Sequence, residues 1–366
     1  MSDDVREGQV GWLEGLSPWP EEFGLGRMQR LLTDLGQPQR RYGAIHVVGT
    51  NGKTSTTLMA AALLRAEGLH TGAYISPHVR GWAERIQLDG ANADLDAALG
   101  RVRPHAAGAT QFEVLTAAAL AEFAASGVDA AVVEAGLGGR HDATNVVDAR
   151  VVILTNVSLE HTEVLGDTRE AIAAEKLAVV SPGAHVVLGE PEWEGAARAA
   201  GAAAVEVAGG SNLALAVAGV EAYLGRPVAP AAAERLRVPG RLERRGEHPL
   251  EIWDGAHNLA GIGYLLPRLP ARTYTIVCSI LADKDPDAML RALTPLGSTL
   301  IATQSPSSRA LPAEEIAGFA RPHFRSVETV PEPAAALARA REVAGPDGAV
   351  LVTGSLYLLA ALSLHA

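Results

Sequence analysis

The stretch AIHVVGTNGKTSTTLMAAALLRAEG, residues 44–68, constrains the chain most. It reads as a short buried strand, AIHVVG, then a loop with two glycines, then a helix, TSTTLMAAALLRAEG, ended by Gly68. A strand delivered through a glycine loop into a helix belongs to α/β architecture. Within the loop GTNGKTS, Gly49 and Gly52 let the backbone wrap closely around Thr50 and Asn51. Lys53 can place its ammonium against an outer phosphate, and Thr54 and Ser55 offer hydroxyls to phosphate or its magnesium. The full pattern G-x-x-x-x-G-K-[ST] asks for glycine at position 47, where the chain has Val47, so this is a shortened version. Phosphate binding is one reading; a structural turn between strand and helix is the other.

Apolar strands and helices go on alternating, which predicts a mostly parallel sheet covered on both faces. TGAYIS, DAAVVEAG, ARVVILTNV and AHVVLG read as strands. FEVLTAAALAEFAAS reads as a helix with Phe112, Leu115, Ala119, Leu120 and Phe123 on one side. DTREAIAAEKLAVV reads as a helix opening at Asp167 or Thr168. The alanine- and glycine-rich span from Gly189 to about Gly210 fits neither period. Prolines then thicken in GRPVAPAAAERLRVPGR, which places a domain boundary near Pro239. Beyond it LEIWDGA, TYTIVCSI, STLIATQ, SVETVP and AVLVTGS read as strands, with helices DPDAMLRAL, PAEEIAGFA and PEPAAALARAREVAG between them. A chain of 366 residues exceeds one ordinary core. The expectation is α/β: an N-terminal P-loop ATPase domain over 1–238 and a smaller, Rossmann-like C-terminal domain over 239–366.

The formal charge, 31 − 42 = −11, with no dense basic run, argues against a nucleic acid partner. The one cysteine, Cys278, lies in the apolar run TYTIVCSI; it reads as a buried strand residue and fits a reducing compartment. The start, MSDDVREGQVGWLEG, is acidic and lacks an apolar signal core, and no apolar run nears the roughly 20 residues of a membrane span. A cytoplasmic protein without a membrane partner is expected.

The strings WLEGLSPWPEEFGLGRMQRLLTDLGQPQ, GTNGKTS, ISPHVRGWAERIQLDG, VVEAGLGGRHDATN, SLEHTEVLGDTREAIAAEKLAVV, PGRLE, DGAHN, LADKD and LVTGSLYL follow one another in the chain. In that order they resemble folylpolyglutamate synthase and its dihydrofolate synthase relatives, in the Mur ligase superfamily. The resemblance implies an ATP-dependent ligase that adds L-glutamate to a folate, to dihydropteroate, or to both, through an acyl phosphate, releasing ADP and phosphate. Murein-peptide ligases carry a further domain before the phosphate loop; only 48 residues precede Gly49 here, which favours the folate branch. A plain P-loop NTPase would lack the set Glu134, His161 and Lys176. A ligase scaffold without activity would be expected to have lost Lys53 or the metal ligands.

The resemblance also implies roles. Glu134 and His161 each follow a strand, where α/β proteins place ligands, and with Ser76 they match metal-binding positions of the family. Lys176 looks by residue type like an exposed helix lysine, but matches a lysine that carbon dioxide carbamylates, so that it helps hold the second of two magnesium ions. Carbamylation needs the neutral amine, so burial or neighbouring cations must lower its pKa. Arg241, Asp254 and Asn212 match nucleotide-side positions, His257 matches a position at the nucleotide and glutamate sites, and Arg85 and Ser355 match positions near the incoming glutamate. Lys53, Lys176 and His257 are the expected catalytic groups. Asp254 and Asn212 could equally be helix caps. The second domain is expected to close over the nucleotide, and a monomer is expected. Three positions depart from the family pattern: Thr54 for glycine, Glu160 for aspartate, and His141 for an apolar residue.

Overall fold

Residues 8–209 and 211–364 are described by the structure, a computed structural model. Residues 1–7 of the acidic start, and Gly210 at the end of the alanine- and glycine-rich span, lie outside them. The chain forms two units, one comprising residues up to Pro77 with Trp82–Leu236, the other His78–Gly81 with the chain from Arg237 on. The four-residue segment joins the second unit because Val79 packs in its core and Arg80 pairs with Glu243 at 2.8 Å.

In the first unit the strands are β1 (Gly43–Val48), β2 (Thr71–Tyr74), β3 (Ile86–Leu88), β4 (Ala91–Asn92), β5 (Ala130–Glu134), β6 (Val151–Leu154), β7 (His185–Leu188) and β8 (Ala204–Val207). Their order across the sheet is β4-β3-β2-β5-β1-β6-β7-β8. From β2 to β8 the pairings are parallel; β3 and β4 add an antiparallel edge. The central strands are buried along their whole length, as sheets covered on both faces require. The helix Lys53–Ala66 follows the phosphate loop, and Gly68 ends it with φ +88°, its N–H bonded to the Arg65 carbonyl. The helix Arg169–Leu177 opens at Thr168, whose hydroxyl accepts from the Ala171 N–H.

The helix Gln111–Ala125 departs from the one-sided stripe: residues 113–123 are all buried. It lies inside the unit, with β2 on one flank and the helices Gln9–Glu14, Gly26–Asp34 and Leu95–Val102 around it, so its small alanines are packing surface on every side. Thr110 and Glu113 close it with a reciprocal capping box. The alanine-rich span resolves into a helix, Glu194–Ala199, and the edge strand β8.

The second unit has β9 (Glu243–Glu247), β10 (Leu250–Trp253), β11 (Tyr274–Cys278), β12 (Thr299–Ala302), β13 (Ser326–Thr329) and β14 (Ala349–Thr353), in the order β13-β12-β11-β14-β10-β9. Only β9 is antiparallel, and its exposed sequence ERRGE carries no strand period. Helices Leu259–Leu265, Pro286–Leu293 and Ala313–Ala320 share one core cluster, and Pro333–Ala344 and Leu356–Ser363 another. The chain therefore leaves β10 toward one face of the sheet and β14 toward the other, which opens a crevice at their carboxyl ends. Cys278 is fully buried and free, and burial pushes its thiol up to about 12. Among the described residues no helix is long and apolar enough to cross a membrane.

Glu251 on β10 is 3% exposed, yet its oxygens are satisfied: Arg341 reaches it with two bonds of 2.7 and 3.1 Å, and the Trp253 indole donates at 2.8 Å. Removing the guanidinium strands a carboxylate in the interior. Arg341→Ala is expected to cost about 3–5 kcal/mol, read from the denaturant midpoint; a loss below about 1 kcal/mol would mean Glu251 is solvated.

Candidate active site

The strand order β5-β1-β6 decides the site. Val47 on β1 pairs with Glu134 at the end of β5, and Val48 pairs with Leu154 at the end of β6. The phosphate loop therefore leaves β1 with Glu134 on one side and the segment from Thr155 to His161 on the other. β2 lies beyond β5, with Tyr74 beside Val133, which brings Ser76 up to Glu134.

Glu134 is 1% exposed. One oxygen accepts from the Thr54 hydroxyl and the other from the Ser76 N–H, both at 3.0 Å. Thr54, the departure from glycine, thus gives this carboxylate a hydroxyl partner at the start of the helix. Among the described residues no three His, Cys, Asp or Glu side chains form a ready-made metal cage. What Glu134 and Thr54 do gather, with the Ser76 N–H beside them, is hard oxygen, the donor type magnesium takes.

On the other side, Lys53 arches back over its own loop, donating to the Gly49 and Thr50 carbonyls at 3.0 and 3.2 Å. Lys176 is 1% exposed rather than on the surface. The short helix Arg169–Leu177 turns Ile172, Ala173, Lys176 and Leu177 inward together, and Lys176 is carried inside on that apolar face. Its ammonium donates to the Gly49 carbonyl at 3.1 Å and to Glu160 at 3.0 Å. Burial, together with the Lys53 charge, pulls this ammonium below the usual lysine range against the opposing pull of Glu160. Burial raises Glu160, but the Lys176 and Lys53 charges outweigh it and hold the carboxyl below its ordinary range. His161 follows in the left-handed region, φ 46°, as the cap of the turn Thr162–Leu165, a conformation non-glycine residues rarely adopt.

Gly49 has φ +141°, and a Cβ there would lie 1.9 Å from the Thr155 hydroxyl; at Gly52, φ +84°, it would lie 2.4 Å from the Asn212 side-chain oxygen. Asn212 is thereby set against the phosphate loop, and the cap of its helix is Ser211, not Asn212. Arg85 stacks over Trp82 at 4.8 Å, and its carbonyl accepts from Ile75, the neighbour of Ser76.

In the second unit Asp254, His257 and Ser355 sit at the carboxyl ends of β10 and β14, and the Gly354 N–H donates to the Ala256 carbonyl between the two loops. Asp254 is no helix cap: Asn258 caps the helix Leu259–Leu265, and Asp254 accepts from the Leu242 and Ala256 N–H groups at 2.8 and 2.9 Å. Burial raises its carboxyl above the ordinary range despite Arg241. Arg241 donates to the Gly240 carbonyl at 3.0 Å, and His257 bonds the Gly255 carbonyl at 2.8 Å. The Ser355 hydroxyl caps the helix Leu356–Ser363. Thr155 and Asn156, which no motif singled out, both bond the phosphate loop at Asn51.

The Mur ligase middle domain family matches residues 47–188, and the Mur ligase glutamate ligase domain family matches residues 240–356. The folylpolyglutamate synthase of Lacticaseibacillus casei is 33% identical over 92% of this chain and 92% of that protein. A probable bifunctional folylpolyglutamate synthase/dihydropteroate synthase of Haloferax volcanii is 35% identical over 96% of this chain, which spans about half (49%) of that protein's length. Among solved structures, folylpolyglutamate synthase of Mycobacterium tuberculosis complexed with ADP matches with a TM-score of 0.88 at 31% identity, over 97% of each chain. The bifunctional folylpolyglutamate synthase/dihydrofolate synthase of Yersinia pestis complexed with AMPPNP and a Mn ion matches with a TM-score of 0.87 at 28% identity, over 100% of each chain.

Proposed function

The chain belongs to the folylpolyglutamate synthase and dihydrofolate synthase family of the Mur ligase superfamily, and on that premise we propose that it uses ATP to join L-glutamate to a folate-type carboxylic acid. The observation that carries the reading is the placing of Lys53 and its loop between a buried carboxylate, Glu134, and a buried amine, Lys176.

In the first step an oxygen of the acceptor carboxylate, on a folate or on dihydropteroate, attacks the γ-phosphorus of ATP. ADP leaves and an acyl phosphate remains. In the second step the glutamate amino group attacks the acyl carbon, inorganic phosphate leaves, and the amine loses a proton as the amide forms. The obstacle in the first step is repulsion between a carboxylate and a polyphosphate. Lys53 supplies one positive charge, and the N–H groups at the start of its helix supply partial ones. Glu134, Ser76 and His161 would hold one magnesium ion, and Lys176, as its carbamate, would help hold a second; bound there, the metal neutralises charge on the phosphates. Arg241, Asp254 and Asn212 serve the nucleotide, His257 serves nucleotide and glutamate, and Arg85 and Ser355 serve the glutamate. The ADP-bound and AMPPNP- and Mn-bound relatives support the nucleotide and the divalent metal.

The test is ADP release with tetrahydrofolate, dihydropteroate or a murein precursor, each with and without glutamate. Release that requires glutamate together with either pterin substrate is expected, and the two pterin arms separate polyglutamate synthesis from dihydrofolate synthesis. Turnover without glutamate would make the chain a plain NTPase; stimulation by the murein precursor alone would move it to the cell-wall branch.

A further inference from the structure

The residues after β6 are stitched to the phosphate loop peptide by peptide. Asn156 occupies both halves of one backbone unit: its Oδ1 accepts from the Asn51 N–H at 3.0 Å, and its Nδ2 donates to the Asn51 carbonyl at 3.0 Å. Only one orientation of the side-chain amide satisfies both bonds, so the pair also fixes which end is which. The Asn156 carbonyl accepts from the Thr50 N–H at 2.9 Å. On either side of it, the Thr155 hydroxyl donates to the Asn51 carbonyl at 2.7 Å, and the Ser158 N–H donates to the Thr50 hydroxyl at 3.0 Å. The far edge of this segment is held too, since Glu190 accepts from the Val157 N–H and Arg169 donates to the Val157 carbonyl, both at 2.9 Å.

The same segment runs on into Glu160 and His161. Glu160 holds Lys176, and Lys176 returns to the phosphate loop at Gly49. The loop and the His161 segment are thus joined at Gly49 through Lys176, at Thr50 through Asn156 and Ser158, and at Asn51 through Thr155 and Asn156. With the Thr50 and Asn51 N–H groups committed to Asn156, a phosphate would meet the N–H groups further along, at the start of the helix. A phosphate that shifts the Asn51 peptide must carry residues 156–158 with it, and with them the approach to His161.

We propose that Asn156 is a positioning residue that couples the phosphate loop to the His161 segment, so that nucleotide and divalent metal reinforce each other's binding. The inference rests on the ATP-using reading above. It concerns the coupling between ADP and divalent metal, not glutamate transfer, so it can fail while the ligase reading stands, and the reverse. Coupling of this kind is reciprocal and measurable as a ratio of affinities.

The experiment is calorimetric titration of the full chain with ADP, in chelator and in excess Mn2+, for the wild type, Asn156→Ala and Asn156→Asp. In Asn156→Ala, ADP affinity without metal is expected to fall about tenfold, because the nucleotide must then order a loop no longer held at Asn51. The strengthening of ADP binding by Mn2+ is expected to shrink by a further several-fold, which a purely structural residue would not change. Asn156→Asp keeps the size and the acceptor but sets an oxygen against the Asn51 carbonyl, so its ADP binding is expected to be at least as weak. It also serves if the alanine variant does not fold. Unchanged ADP affinity in a folded variant would overturn the proposal. So would a loss in chelator with the full Mn2+ effect preserved, since that would reduce Asn156 to a prop for its own loop.

Discussion

Lys176→Ala is expected to lose ligase turnover by about 100- to 1,000-fold and to regain part of it when acetate or another short carboxylate is added. The expectation starts from where the side chain is. A lysine 1% exposed has given up most of its hydration, and burial together with the Lys53 charge pulls its ammonium below the usual range. That keeps within reach the neutral amine that carbon dioxide requires: the amine nitrogen bonds the carbon, one proton leaves, and a carbamate with two oxygens results. Shortening the chain to alanine leaves room on the same side of Gly49 for a small carboxylate to do what the carbamate did. Two results would count against it. Full activity without additive would remove Lys176 from the chemistry. Inactivity that no carboxylate relieves, in a variant that still binds ADP, would leave Lys176 as the ammonium partner of Glu160 and Gly49 seen in the structure.

What could be read from the sequence, and what could not, divides along physical lines. Buried parallel strands announce themselves as apolar runs, so β1, β2, β5, β6, β7, β10, β11, β12 and β14 were legible; β13, half-exposed, was read as well. The polar edge strand β9 and the short β3–β4 pair were not, because an exposed edge needs no apolar period. Three helices of the second unit, Pro286–Leu293, Ala313–Ala320 and Pro333–Ala344, were legible, and Leu259–Leu265 and Leu356–Ser363 were not; where Asn212 and Asp254 stood as alternative caps, the caps are Ser211 and Asn258. Each time two cap-forming residues stood close together, and only the backbone geometry chooses between them. Glu134 was legible as the last residue of a strand and His161 as a residue after one. The burial of Lys176 was not, since a lysine on a nine-residue helix carries no mark of which face the fold turns inward. Asn156 was missed because it falls within the apolar run ARVVILTNV, which reads as strand throughout, and its bonds to Asn51 span 105 positions of sequence.

The second large effect falls on Lys53. Lys53→Met keeps the length and apolar stem of the side chain and removes its charge, and turnover is expected to drop about 100- to 1,000-fold while ADP affinity falls far less. The asymmetry follows from where the groups sit. The helix that begins at Lys53 presents its first N–H groups whatever the side chain is, so the inner phosphates keep their backbone partners. The Lys53 ammonium instead caps the hollow of the loop, bonded to the Gly49 and Thr50 carbonyls, and is the mobile charge that can follow the outer phosphate as it transfers. An interaction that strengthens during transfer shows in kcat, whereas one equal in ground and transition states shows only in KM. Lys53→Arg would keep the charge but spread it over a planar fork too bulky for two carbonyls of one tight loop, so it is expected to rescue little. If Lys53→Met raised KM for ATP and left kcat alone, the ammonium would be an anchor for the nucleotide, and the charge that eases phosphoryl transfer would have to come from the groups around Glu134 and His161.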